Sequence, residues 1–173
     1  DLEPELYDVT AWSLPVMFNV TTDRCADEAT GALAPFAADT ELPGVVTRPE
    51  AAYGFLAPWG STSAVRLLAS ALREGIAVSS SDFAFTHEGR SSPAGTLIFR
   101  NSGTDGLAEK VQRLAAESGA SLTGIDDSWI TDGPSFGSSR VANHHAPRIA
   151  LAWDAPTRSS AAGNLRFVIE RQL

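Results

Sequence analysis

Residues 53–75 read YGFLAPWGSTSAVRLLASALREG, and this stretch decides the fold class. Tyr53 to Ala57 is a short apolar run of strand length. Pro58-Trp59-Gly60 turns the chain. Ser61 or Thr62 can then cap a helix by accepting a hydrogen bond from one of the orphan backbone N–H groups of its first turn. Val65, Leu68, Ala69 and Leu72 follow at i, i+3, i+4 and i+7, which predicts one buried helical stripe. Gly75 stands where a left-handed residue closes such a helix.

The same alternation continues outward from this unit. Ile76 to Ser79 and Asp82 to Thr86 read as strands. The turn-rich segment His87 to Gly95 leads to a strand over Thr96 to Arg100, which predicts a hairpin with a long loop. A second helix is expected over Asp105 to Ser118, with Leu107, Val111, Leu114, Ala115 and Ser118 on one face and Gly119 closing it. Ala120 to Ile125 is the next strand. The order β-α-β-β-β-α-β predicts an α/β fold with a mixed sheet and flanking helices.

The ends read differently. Within residues 5–20 a helical turn is expected near Thr10 to Leu14, then an extended piece after Pro15. Residues 21–44 show no period, so 1–44 is expected to be a linker segment and long loop ahead of an α/β domain over 45–146. Asp126 to Ala146 is polar and glycine-containing and reads as a linker. Arg148 to Trp153 reads as a strand, and Leu165, Val168, Ile169 and Leu173 as the stripe of a third helix. One strand and one helix cannot cover both faces of a sheet, so 147–173 is expected to be the first βα unit of a truncated further domain. Its exposed apolar surface would favour self-association.

Composition narrows the function. The net charge is −8, with a single lysine, Lys110, among 13 basic residues and no basic cluster, which argues against nucleic acid as a partner. No apolar run approaches the ~20 residues of a membrane helix. Cys25 is the one cysteine and has no partner for an internal disulfide. A chain opening on Asp1 without methionine suggests a processed or excised segment.

Residues able to carry chemistry are few. The histidines are His87, His144 and His145. His87 is followed at once by Glu88, without the gap of an H-x-x-E pair, and adjacent His144 and His145 point to opposite sides of an extended chain. The spacing favours no metal site, and none is expected. Gly133-Pro134-Ser135-Phe136-Gly137 matches G-x-S-x-G, with Asp126, Asp127 or Asp132 and His144 or His145 available as partners for Ser135. That pattern works when the serine sits on a strand-to-helix turn, and no helical pattern follows here. A linker turn is therefore expected, and the three aspartates fit no EF-hand loop. Trp59 to Ser63 could hold an anion at a helix start, with simple capping the preferred reading. Thr157 to Ser160 follows an expected strand, where open α/β sheets place ligands. Nothing around Cys25 points to an activated thiol.

Tyr7 to Pro15, Tyr53-Gly54-Phe55, Phe85-Thr86, Pro93 to Phe99 and Pro147 to Leu151 together resemble a region of multidomain bacterial zinc carboxypeptidases of the carboxypeptidase A type, downstream of the catalytic domain. In that family the strand beginning at a position like Pro147 resembles the start of a glutamine-amidotransferase-like, flavodoxin-like domain. The resemblance implies neighbouring peptidase and amidotransferase-like domains as partners, zinc in the parent's peptidase domain, and export. None of the family's zinc or catalytic residues has a counterpart here, so no catalytic, cofactor-binding or metal residue is carried over. It therefore implies a non-catalytic accessory domain. Two other readings stand beside it: a module binding peptides or cell-wall fragments through Trp12, Trp59, Trp129 and Trp153, and a serine hydrolase built on Ser135.

Overall fold

The computed structural model describes residues 15, 21–24, 26–27, 31 and 43–171. The helical turn expected near residues 10–14, Trp12, Cys25 and most of the loop 21–44 lie outside the described residues. By its internal contacts the chain divides into two compact units, Asp1–Thr40 and Glu41–Leu173, and the second contains both sheets.

The elements of this second unit run β1 (Val46–Thr47), β2 (Gly54–Ala57), α1 (Thr62–Arg73), β3 (Val78–Ser81), β4 (Phe85–His87), β5 (Arg90–Ser92), β6 (Leu97–Arg100), a 3₁₀ turn (Asn101–Gly103), α2 (Leu107–Ser118), β7 (Leu122–Ile125), β8 (Ile130–Asp132), β9 (Val141–His144) and α3 (Ser159–Arg171). Six strands form a mixed sheet in the order β1-β7-β2-β6-β3-β9, and β5-β4-β8 form a second, smaller sheet. Among the described residues only the β1–β7 pair is parallel. The expected α/β class and the order of its principal elements hold.

Strand alternation builds the layers. On β2, Phe55 and Ala57 face one side and Leu56 the other; on β6, Leu97 and Phe99 face the first side and Ile98 the second. The first side packs against α1 and α2 through Leu67, Ala71, Leu107, Val111, Leu114 and Ala115. The second side, with Leu56, Ile98 and Ile125, receives Phe85 and Phe136. Burial of each such large side chain contributes about 1.5–3 kcal/mol, which is why these short strands hold.

Ser61 is the cap of α1: its Oγ accepts from the Ala64 N–H at 3.1 Å. The stripe of α1 is rotated from the one expected. Ala64, Leu67 and Ala71 are buried, while Leu68 and Leu72 pack on the flank. Small side chains at 64 and 71 let the helix backbone approach its neighbours, and periodicity alone does not weigh size. On α2 the expected face is the buried face, and Gly119 closes the helix in the left-handed conformation.

Three expectations are corrected. The hairpin is not 82–86 against 96–100 with a long loop. It is β4 against β5 through the two-residue turn Glu88-Gly89, both at positive φ (47° and 72°), while β6 enters the main sheet between β2 and β3. Paired positive φ values match the right-handed twist of flanking strands. The segment 126–146 is not a linker: it supplies β8 and β9, whose polar, largely exposed faces hide their pairing from a hydropathy reading. Arg148 to Trp153 forms no strand, and Ile149 and Trp153 are exposed. The helix expected after it is α3, in which Ala162 alone is buried among the described residues and Leu165 and Val168 face solvent.

Candidate functional site

Two polar constellations stand out. The first gathers where β4 and β7 end. Beyond β7 come Asp126 and Asp127; beyond β4 comes the turn with Glu88; beyond β1 comes Arg48, itself at φ 55°. Gly124 makes the Arg48 backbone possible there, because a Cβ at 124 would lie 2.0 Å from the Arg48 carbonyl oxygen. A positive φ at a residue other than glycine is costly, and Arg48 and Glu88 both adopt one.

Their side chains interlock. Arg48 Nη1 donates to Glu88 Oε2 at 2.7 Å, and Nη2 donates to Asp126 Oδ2. Asp126 Oδ1 accepts from the Ala52 N–H at 2.8 Å. His87 Nε2 lies 3.1 Å from both Asp127 Oδ1 and the Asp127 carbonyl oxygen, so in the neutral ring this nitrogen carries the proton. Asp127 Oδ1 also accepts from the Trp129 N–H at 2.8 Å. The imidazole is 3% exposed and lies nearly parallel to the Phe136 ring, 6.4 Å between centroids.

The electrostatics follow from these bonds. The Ala52 N–H, and then Arg48, hold the Asp126 carboxyl below its ordinary pKa. The Trp129 N–H, and then His87, do the same for Asp127. Glu88 and then Asp126 push the Arg48 pKa up, so the guanidinium stays charged. A shallow cleft of about 130 Å³ opens beside His87 and Glu88, lined also by Leu56, Arg90 and Ser92.

The second constellation joins two strands at the edge of the main sheet. Ser80 Oγ on β3 lies 2.7 Å from His144 Nε2 on β9. On the opposite face Ser79 Oγ donates to Asn143 Oδ1 at 2.8 Å, and Arg100 Nη2 donates to Ser79 Oγ at 3.0 Å. A cavity of about 400 Å³, lined by Leu72, Ile76, Val78, Asn143, His144 and His145, adjoins it. A serine and an imidazole at this distance meet the first geometric requirement of a nucleophile–base pair. Among the described residues no carboxylate bonds His144 to orient it, so the second requirement is unmet.

The G-x-S-x-G motif is not a nucleophile elbow. Ser135 is exposed in a turn, its carbonyl accepting from the Ser138 N–H at 2.9 Å, and no hydrogen bond among the described residues links it to an imidazole. The motif serves its aromatic residue. Phe136 is buried, edge-on to Phe85 at 5.4 Å and stacked on Tyr53 at 6.0 Å. Gly133, at φ 90°, allows that insertion, since a Cβ there would meet the Ala84 carbonyl oxygen at 2.5 Å.

The remaining candidates disperse. Asp126 and Asp127 join the first constellation, while Asp132 sits on β8 opposite Thr86 and makes none of its contacts. Ser61 is used as a cap, and the Trp59 ring lies against Gly95. Thr157 closes a turn onto Asp154 ahead of α3, with no strand before it to form a sheet-end crevice. His145 is exposed. Sequence reading misses Arg48 and Ser80. The role of Arg48 depends on a rare backbone conformation, and that of Ser80 on the register of a strand that does not announce itself.

No protein-family model, no curated protein and no solved structure matches this chain.

Proposed function

We propose that this chain is a non-catalytic accessory domain of a larger exported protein of the zinc-carboxypeptidase kind, lying between a peptidase domain and an amidotransferase-like domain. One observation carries the reading: its chemistry-bearing side chains are engaged in holding elements together. Arg48 ties β1's end to Glu88 and Asp126, His87 is fixed by Asp127 and Phe136, and Ser80 is bonded across to His144 on β9 with no orienting acid among the described residues. The resemblance carried by Tyr7 to Pro15, Pro93 to Phe99 and Pro147 to Leu151 supports the choice of parent, and export and the parent's zinc rest on it alone. The exposed Ile149, Trp153, Leu165 and Val168 offer such a neighbour an apolar surface to cover. The test is a peptidase assay of the chain against peptides with varied C-terminal residues, with and without added Zn²⁺, read by mass spectrometry. Intact peptides are expected; release of C-terminal residues by the pure chain overturns the reading.

A peptide-binding role is the second reading, favoured by Trp129 at 76% exposure. Tryptophan fluorescence titrated with peptides and cell-wall fragments separates the two: a saturable change supports the binding module, and silence across the panel supports the accessory domain.

A further inference from the structure

We propose that His87, Glu88 and Asp127 form a binding site for a divalent transition-metal ion of the zinc type, which would pin the β4–β5 turn to the loop after β7. One ligand atom from each lies within 4.8 Å of the other two. His87 Nε2 and Asp127 Oδ1, at 3.1 Å, are already spaced as neighbouring ligands on one ion. The imidazole is buried and fixed by Phe136, so its ring nitrogen is held in position before any ion arrives. The two carboxylates are reachable: the side chain of Glu88 is 43% exposed and that of Asp127 59%.

The place already accommodates a cation. Glu88 Oε2 holds Arg48 Nη1, and an ion captured by Glu88 replaces that guanidinium. Arg48 is not orphaned by the exchange, because its other nitrogen keeps Asp126. On binding, Nε2 gives up its proton so that its lone pair meets the ion, and the ring's remaining proton sits on Nδ1. Solvent completes the coordination. A nitrogen donor with two carboxylates suits zinc and its neighbours better than calcium or magnesium, which prefer oxygen alone. The inference goes beyond the accessory reading and does not depend on it: binding is read by titration and the accessory reading by peptide cleavage.

The experiment titrates the whole chain with Zn²⁺ by calorimetry, and with Co²⁺ by its visible absorption. The fluorescence of Trp129, whose backbone N–H is bonded to Asp127, is followed alongside. One ion per chain is expected, with Ca²⁺ giving no response. Glu88→Gln and Asp127→Asn should each weaken zinc binding by more than the roughly tenfold to hundredfold that an outer partner is worth. Both residues are exposed, so these variants should fold even where His87→Gln does not. Arg48→Gln removes the competing cation and should tighten binding, whereas a merely structural ion pair predicts no zinc uptake in any variant. Replacing His144 and His145 together by Gln should leave affinity unchanged. No saturable uptake by the chain, or uptake lost with His144 and His145 and kept in Glu88→Gln and Asp127→Asn, overturns the proposal.

Discussion

His87 and His144 each bond an oxygen-bearing side chain brought from afar, yet the two sites differ in kind. His87 is buried, stacked on Phe136 and held by Asp127, which is itself held by a backbone N–H. His144 stands on an edge strand, bonded to Ser80, with no acid behind it among the described residues. The first imidazole has the orienting shell that chemistry needs and, among the described residues, no hydrogen bond to a hydroxyl. The second has the hydroxyl and lacks the shell. The non-catalytic proposal rests on this separation of the parts between two sites.

The comparison can be broken first at Phe136, which supports His87. Phe136→Ala empties the contact among Tyr53, Phe85 and His87 and should cost about 3–5 kcal/mol in denaturant unfolding. His87→Ala removes the buried ring and its bonds to Asp127, with an expected loss of about 1–3 kcal/mol by the same measurement. Ser80→Ala breaks one partly buried bond at the sheet edge and should cost only about 0.5–1.5 kcal/mol. Equal losses at His87 and Ser80 would erase the distinction between the two sites.

A finer contrast is acid sensitivity. Asp126 and Asp127 have folded-state pKa values below their ordinary ones. Their contribution is therefore fully present above the unfolded-state value of about 4 and is lost as pH falls through the lower folded-state value. Stability followed from pH 7 downward should hold its carboxylate contribution to about pH 4 and then decline, less steeply in Asp127→Asn. Screening by solvent keeps this effect small, since both carboxylates are exposed. A decline unchanged in Asp127→Asn would show that Asp127 carries none of it.

How much of this can be read from the residues depends on how far each signal travels along the chain. Leu107, Val111, Leu114, Ala115 and Ser118 share a local helical face, and all are buried. The β2 strand and the Ser61 cap are equally local. The pairing of β9 with β3 is not, because Val141 to His144 has too little apolar contrast to show a strand, and Ser80 and His144 stand 64 residues apart. Arg148 to Trp153 shows the converse failure: an apolar run of strand length that pairs with no strand. The charged constellation is half visible. His87-Glu88 and Asp126-Asp127 are legible as separate pairs, but their convergence needs the positive-φ turn at Glu88 and the glycine at 124 that admits Arg48. In G-x-S-x-G the pattern points at Ser135, whereas packing makes Phe136 its working residue.

The most direct test of the division is to expose the folded chain to a fluorophosphonate probe, which labels only an activated serine, and to map any adduct by mass spectrometry. The expected result is no labelling at Ser80 or Ser135. Stoichiometric labelling that disappears in Ser80→Ala or in Ser135→Ala would contradict it and make the chain a hydrolase.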